Sequence, residues 1–306
     1  MRGRTPVVLD TDIGGDIDDT WALAMMVNSP ELDVKMVLSE HGDTLYRAKV
    51  AARFLQTVGR ADVPVGIGIA TPHLLLNDWN PQEAVVRDYD LGSYPGRVLT
   101  DGVGALVDLV MGSSEPITLI AIGPLTNIAA ALERQPKIAS KVRFVGMDGN
   151  IRELFLNEVR VVPEYNVKVD VPASQRVFTA SWDMTITPLD TCGKVVLRGD
   201  RYAKLHRSES PIARAVMENY KAWVQYLSTK TDMDPLKYER ESSILFDTVA
   251  VYLAMDDRFL NMETLGVRVM ADGLTSVDED AKKIRCAMTW KDMESFEDFL
   301  VQRITE

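Results

Sequence analysis

The chain has 306 residues, 46% of them hydrophobic and 26% charged, which allows a sizeable core and argues against disorder as the dominant state. Its formal net charge of −11 repels phosphate backbones, and the densest basic stretch, residues 201–207, is short and interrupted by apolar side chains; extended nucleic-acid binding is not expected. Cys192 and Cys286 form no zinc or redox motif, residues 1–6 lack the apolar core of a signal peptide, and no run of about 18 apolar residues could span a membrane, so the expectation is a cytoplasmic protein.

Short apolar runs at residues 7–9, 34–38, 65–67, 117–122, 142–145 and 184–186 read as buried strands. Helical patterns at 21–27, 47–58, 103–111, 128–134 and 173–180 lie between them. This alternation predicts an α/β fold: an open, largely parallel (mixed) sheet with helices on both faces and a Rossmann-like core, in a single domain over residues 1–306. Ligands of such sheets bind beyond the carboxyl ends of the strands. Residues 75–96, rich in Asn, Asp, Pro and Gly, read as a surface excursion that could serve as a lid. Beyond residue 197, helices are expected over 202–227 and 243–255, joined by a charged connection at 228–241. A strand pair at 267–270 and 284–289 and an amphipathic helix at 293–304 complete the chain.

The strongest signal is Val7-Val8-Leu9-Asp10-Thr11-Asp12-Ile13-Gly14-Gly15-Asp16-Ile17-Asp18-Asp19, with five aspartates in ten residues. Asp10 and Asp12 sit two apart at a strand end and can project to one side. The glycines permit a tight turn, and Asp18-Asp19 open the next helix. Two carboxylates about 4 Å apart repel by about 1 kcal/mol in water and by several in a cleft. A helix N-terminus returns only about 0.3–1 kcal/mol per anion. A hard divalent cation resolves the repulsion, and Ca²⁺ takes six to eight oxygen ligands.

Asp10-Thr11-Asp12-Ile13-Gly14 followed by Asp18-Asp19 resembles the signature of the inosine-uridine-preferring nucleoside hydrolase family. Further segments arrive in that family's order: Gly123-Pro124-Leu125-Thr126-Asn127, Gly146-Met147-Asp148-Gly149, Glu164-Tyr165-Asn166, Pro188-Leu189-Asp190-Thr191 and Phe246-Asp247-Thr248. The resemblance covers essentially the whole chain. It implies Ca²⁺-dependent hydrolysis of the N-glycosidic bond of a ribonucleoside or related N-ribosyl compound by a dimer or tetramer. It further implies that Asp12 is the base and a metal ligand, and that Asp19, the Ile122 carbonyl and Asp247 are the other ligands. Asp18, Asp43, Met147, Asn157, Glu164 and Asn166 would contact substrate, with Asp10 supporting the metal shell. The chain departs from the pattern at Asp16, which belongs to an insertion, at Asp148, and at Phe246, which stands where well-characterised members carry a histidine.

Two alternatives stay open on the residues alone. A haloacid dehalogenase-type phosphatase also begins with strand-Asp-x-Asp and would use Asp10 as nucleophile, Asp12 as acid/base and Mg²⁺. Gly14 stands where such enzymes carry a hydroxyl residue, and Asp18-Asp19 have no place in them. The other alternative is a nucleoside- or sugar-binding descendant without activity, suggested by Phe246 and Asp148. The leaving-group acid is not identified: the three histidines are His41, His73 and His206, of which His41 lies just after a strand end. Trp79, Trp223, Tyr220, Tyr226 and Tyr238 could line a base pocket, although core packing is the commoner use of such residues.

Overall fold

A computed structural model describes residues 3–72, 79–153 and 160–306. Among these residues ten strands form one sheet: β1 (Thr5–Thr11), β2 (Leu32–Ser39), β3 (Val65–Ile67), β4 (Val98–Leu99), β5 (Ile117–Ala121), β6 (Val142–Met147), β7 (Asp183–Thr187), β8 (Leu260–Val269), β9 (Thr275–Val277) and β10 (Lys283–Trp290). Their order is β4-β3-β2-β1-β5-β6-β7-β10-β8-β9. Pairing is parallel except where β8 meets β10 and β9. The strand order reverses beside β1, which lies between β2 and β5. The carboxyl end of β1, at Asp10 and Thr11, is therefore a topological switch point, where such sheets bind ligands.

The helices are α1 (Asp18–Val27), α2 (Thr44–Thr57), α3 (Glu83–Val86), α4 (Gly102–Gly112), α5 (Thr126–Arg134), α6 (Tyr165–Val169), α7 (Val171–Thr179), α8 (Leu189–Cys192), α9 (Gly199–His206), α10 (Pro211–Ser228), α11 (Phe246–Leu253) and α12 (Met293–Thr305). Alternate strand residues feed two cores, because successive side chains of a strand point to opposite faces. Leu9, Ile120 and Val145 pack with Trp21 of α1, Phe54 of α2, Tyr252 of α11 and Phe296 of α12. Val8, Leu119 and Phe144 pack with Leu106 of α4, Ile128 of α5 and Phe178 of α7. Burying each large apolar side chain contributes roughly 1.5–3 kcal/mol, so both helical layers are held to the sheet. Helices thus cover both faces, as the strand–helix rhythm predicts. None of the described helices is long and apolar enough to cross a membrane.

Three stretches differ from expectation. The helix expected over 202–227 is two helices, because Pro211 has no N–H to continue an incoming helix and instead starts α10. The expected strand at 267–270 is the end of a strand that starts at Leu260. In the described part of 75–96, Val85, Val86, Leu91 and Tyr94 are buried, so this segment is anchored in the core rather than lying wholly on the surface, and Trp79 reaches the cavity described below.

Candidate active site

After β1 the chain turns sharply before entering α1. Gly14 holds φ at +96°, and a Cβ there would stand 2.8 Å from the Tyr46 ring, so this position requires glycine twice over. Three side chains hold the loop carbonyls: Arg47 Nη1 donates to Ile13 O (3.2 Å), Tyr46 Oη to Gly14 O (3.0 Å) and Trp223 Nε1 to Gly15 O (3.1 Å). Thr11 Oγ1 donates to Asp19 Oδ1 (2.5 Å) and fixes the carboxylate of the first helical turn. Across the sheet, Gly123 lets the end of β5 pass close, since a Cβ would meet Asp12 Oδ1 at 3.0 Å.

This loop and α11 bring Asp18, Asp19 and Asp247 together, all buried, with one oxygen of each within 4.8 Å of the others. The Asp247 amide donates to Asp18 Oδ2 (3.2 Å). Burial pushes all three carboxyls well above the ordinary range, and repulsion from neighbouring aspartates pushes them further. Such a group suits a hard cation: three converging anionic oxygens that repel one another until a positive charge stands between them. Asp12 lies beside this group rather than within it. Its side chain is 13% exposed, and the buried Arg47 guanidinium stands 3.9 Å from Oδ2. Burial raises the Asp12 carboxyl and Arg47 opposes the rise.

Behind Asp12 lies a second layer. Asp10 is fully buried and accepts from Asn127 Nδ2 (2.9 Å). Burial pushes it up to about 7 against that hydrogen bond. The Asn127 amide N–H donates to Glu40 Oε2 (3.1 Å), and the Asn127 side-chain oxygen accepts from Ile69 N (2.9 Å). On the facing wall, Glu164 caps α6 by accepting from the amides of Asn166 (2.8 Å) and Val167 (3.1 Å), and also from Gly149 (3.1 Å). Burial lifts it to about 7, against the pull of these three amides. Asn166 Nδ2 donates to Met147 O (3.0 Å).

These groups open onto a cavity of about 590 Å³, a size that suits a small ligand. Asp12, Asp18, Asp19, Ile122 and Asp247 form one side, and Met147, Glu164 and Asn166 flank them. The opposite side is apolar and includes Trp79, Val162, Trp223, Leu227 and Phe246. Asp16 stands exposed at the rim. Asp43, expected at the substrate, does not line this cavity: it is exposed and caps α2 by accepting from the Tyr46 amide (3.0 Å). Asn157 and His73 lie outside the described residues. Tyr220 belongs to the core beside Trp21, and His206 is exposed at the end of α9.

Sequence reasoning missed Glu40, Arg47 and Asn127 as parts of this centre. Glu40 follows the apolar run of β2, and Arg47 faces inward from α2, so each was visible only as a charge in an apolar setting. A sheet switch point with an acidic floor and an aromatic roof defines an α/β protein with a small-molecule cavity at a centre able to hold a cation. The family profile for inosine-uridine preferring nucleoside hydrolases matches residues 7–298. Non-specific ribonucleoside hydrolase RihC of Salmonella agona (strain SL483) is 34% identical over 213 residues, which is 67% of either chain. A probable uridine nucleosidase 2 of Arabidopsis thaliana is 27% identical over 94% of this chain and 90% of its own. Among solved structures, a plant nucleoside hydrolase superposes with a TM-score of 0.81 at 25% identity, covering 98% of this chain and 99% of its own. The chain belongs to the inosine-uridine preferring nucleoside hydrolase family, and its class is that of the N-glycosyl hydrolases. The haloacid dehalogenase-type reading finds no support in this placement.

Proposed function

We propose that this chain hydrolyses the N-glycosidic bond of a ribonucleoside or a close N-ribosyl relative, with Ca²⁺ at the acidic centre. The observation that carries the reading is the convergence of Asp18 and Asp19 with the distant Asp247 at one cavity, beside Asp12. Asp12, Asp19, the Ile122 carbonyl and Asp247 would hold the ion. When bound, it supplies Lewis acidity that lowers the pKa of a water. Asp12 takes up the proton of the attacking water, a task for which a raised carboxyl pKa is suited. Asp18, Glu164 and Asn166 grip the ribose hydroxyls, and Met147 packs beside them. The buried carboxylates stabilise positive charge developing on the sugar as the bond to the base breaks. Trp79, Trp223 and Phe246 give the flat base an apolar seat.

Purified protein incubated with a panel of purine and pyrimidine ribonucleosides tests this by release of reducing sugar. Release that stops with a chelator and returns with Ca²⁺ is the expected result. Release indifferent to chelation would remove the ion from the reading. Nucleoside binding without release would favour a non-catalytic binder.

The raised carboxyls also make a prediction about stability. Asp10 and Glu164, both lifted to about 7, keep in the folded chain protons that an unfolded chain loses near pH 4. Their contribution to stability is therefore fully present below about pH 4, falls as pH rises towards 7, and levels off above it. In chelator, the melting temperature is expected to drop between pH 5 and pH 8. Added Ca²⁺ should raise it more at pH 8 than at pH 5, because binding requires deprotonated ligands. A calcium increment independent of pH would contradict this.

A further inference from the structure

Between Glu164 and Asn166, Tyr165 lines the cavity with its phenol half-buried. Its hydroxyl stands 3.3 Å from His41 Nε2, and the two rings meet edge to face at 6.1 Å. His41 is fully buried and has φ 60°, the only positive φ among the described non-glycine residues, a backbone state that side chains rarely adopt. Its Nδ1 is 2.6 Å from Thr71 Oγ1. The same Thr71 oxygen accepts from the Gly42 amide (3.1 Å), and the Thr71 amide donates to Gly42 O (3.3 Å), which pins the threonine to the turn that carries His41. Thr71 Oγ1 keeps a second lone pair besides the one facing Gly42, so its contact with His41 Nδ1 can run in either direction; in one tautomer of His41 the threonine proton goes to Nδ1. His41 then carries its proton on Nε2 and donates it to the Tyr165 oxygen. The Tyr165 proton is left to point into the cavity.

Other donors on the cavity wall are already committed. Asn166 Nδ2 donates to Met147 O (3.0 Å) and Met147 Sδ (3.5 Å), Thr231 Oγ1 to Leu227 O (3.0 Å) and Trp223 Nε1 to Gly15 O (3.1 Å). Among the described residues lining the cavity there is no His, Lys or Arg. Apart from the carboxyls of the acidic side, Tyr165 and the Trp79 indole remain, and the phenol is the more acidic and hence the stronger donor of the two. Burial pushes the Tyr165 hydroxyl up to about 12, so it is protonated at neutral pH.

We propose that Tyr165 is a catalytic residue that donates a hydrogen bond to the departing base, and that His41, fixed by Thr71, is the positioning residue that aims its hydroxyl. The inference rests on the hydrolase reading above. As the C1′–N bond breaks, its electron pair leaves with the base nitrogen, and the hydrogen bond strengthens as that charge grows. Tyr165 keeps its proton. Water provides hydroxide to C1′, and its remaining proton neutralises the base, so the reaction balances with no further reactant.

The test compares uridine and inosine with 4-nitrophenyl β-D-ribofuranoside, whose phenolate leaves without assistance. Tyr165→Phe is expected to lower kcat on the nucleosides by about 10²-fold, the typical effect of deleting one such donor. The fall on the aryl riboside should be at least about tenfold smaller. His41→Asn and Thr71→Val should shift the ratio of the two rates in the same direction by less. The Tyr165→Phe/His41→Asn double variant should be no worse than Tyr165→Phe within about threefold, as coupled residues are non-additive. Melting temperatures identify any variant that fails to fold, and Thr71→Val then stands in for His41→Asn. Equal losses on both substrate types would make Tyr165 a sugar contact and overturn the proposal, as would unaltered nucleoside rates. A wild-type protein that cleaves the aryl riboside but no nucleoside would overturn the base contact while leaving ribosyl hydrolysis intact. One that cleaves neither would overturn both readings.

Discussion

Asp12→Asn is expected to lower kcat for ribonucleoside hydrolysis by about 10³-fold, the middle of the range for loss of a general base. The amide has the carboxylate's shape, so it keeps the close approach to Gly123. The backbone contact from the Gly15 amide to Asp12 O (3.2 Å) survives the change. The ion pair with Arg47, at 3.9 Å, is too long to be a strong hydrogen bond. Deleting the charge also relieves repulsion felt by Asp19 and Asp247. The melting temperature of the metal-free variant should therefore match or exceed that of the wild type. Initial rates and thermal melts on the same preparations separate chemistry from folding. Near-normal turnover in Asp12→Asn would remove this residue from the role of base.

The second large effect concerns stability. Arg47 is the only fully buried cation among the described residues, at 2% side-chain exposure. It donates to His41 O (2.6 Å) and Ile13 O (3.2 Å), so it ties the end of β2 to the loop after β1. It also lowers the free energy of ionised Asp12, Asp19 and Glu40. Arg47→Met keeps most of the aliphatic volume but strands two carbonyls and leaves the buried carboxyls without their counter-charge. A loss of about 3–5 kcal/mol in urea unfolding is expected, as for other buried pairs broken from one side. Arg47→Lys should recover only part of it, because one ammonium cannot span both carbonyls with the guanidinium's planar fork. A loss below about 1 kcal/mol would show that the carboxyls are protonated and need no cation from the protein.

The sheet's centre was legible because strands buried on both faces read as continuous apolar runs, as Val7 to Leu9 and Ile117 to Ile122 do. Strand β4 was not legible, since Val98 and Leu99 are too few to show a period. The break before Pro211 was hidden because apolar residues on either side continue a helical pattern. At the site, the aspartates and the Gly123 turn announced themselves through clustering and motif order. Glu40, Arg47 and the His41–Tyr165 contact did not, because each depends on which strands are neighbours, and pairing across β1, β2 and β5 leaves no local mark on the chain. Asp43 misled for the opposite reason: the residue type suits a sugar contact, but an aspartate before a helix caps it with equal ease.

The hydrogen bond between Asp18 and Asp247 joins positions 229 residues apart. A polypeptide emerging from the ribosome presents its front aspartates long before Phe246–Leu253 has been made, and contacts of such separation form late because the intervening loop must first be closed. The nascent chain thus carries an unfinished acidic cluster that is completed only when α11 docks against α1. Ion uptake would then report that translation has reached and folded the tail, and a fragment cut short before residue 247 would stay inert towards its substrate.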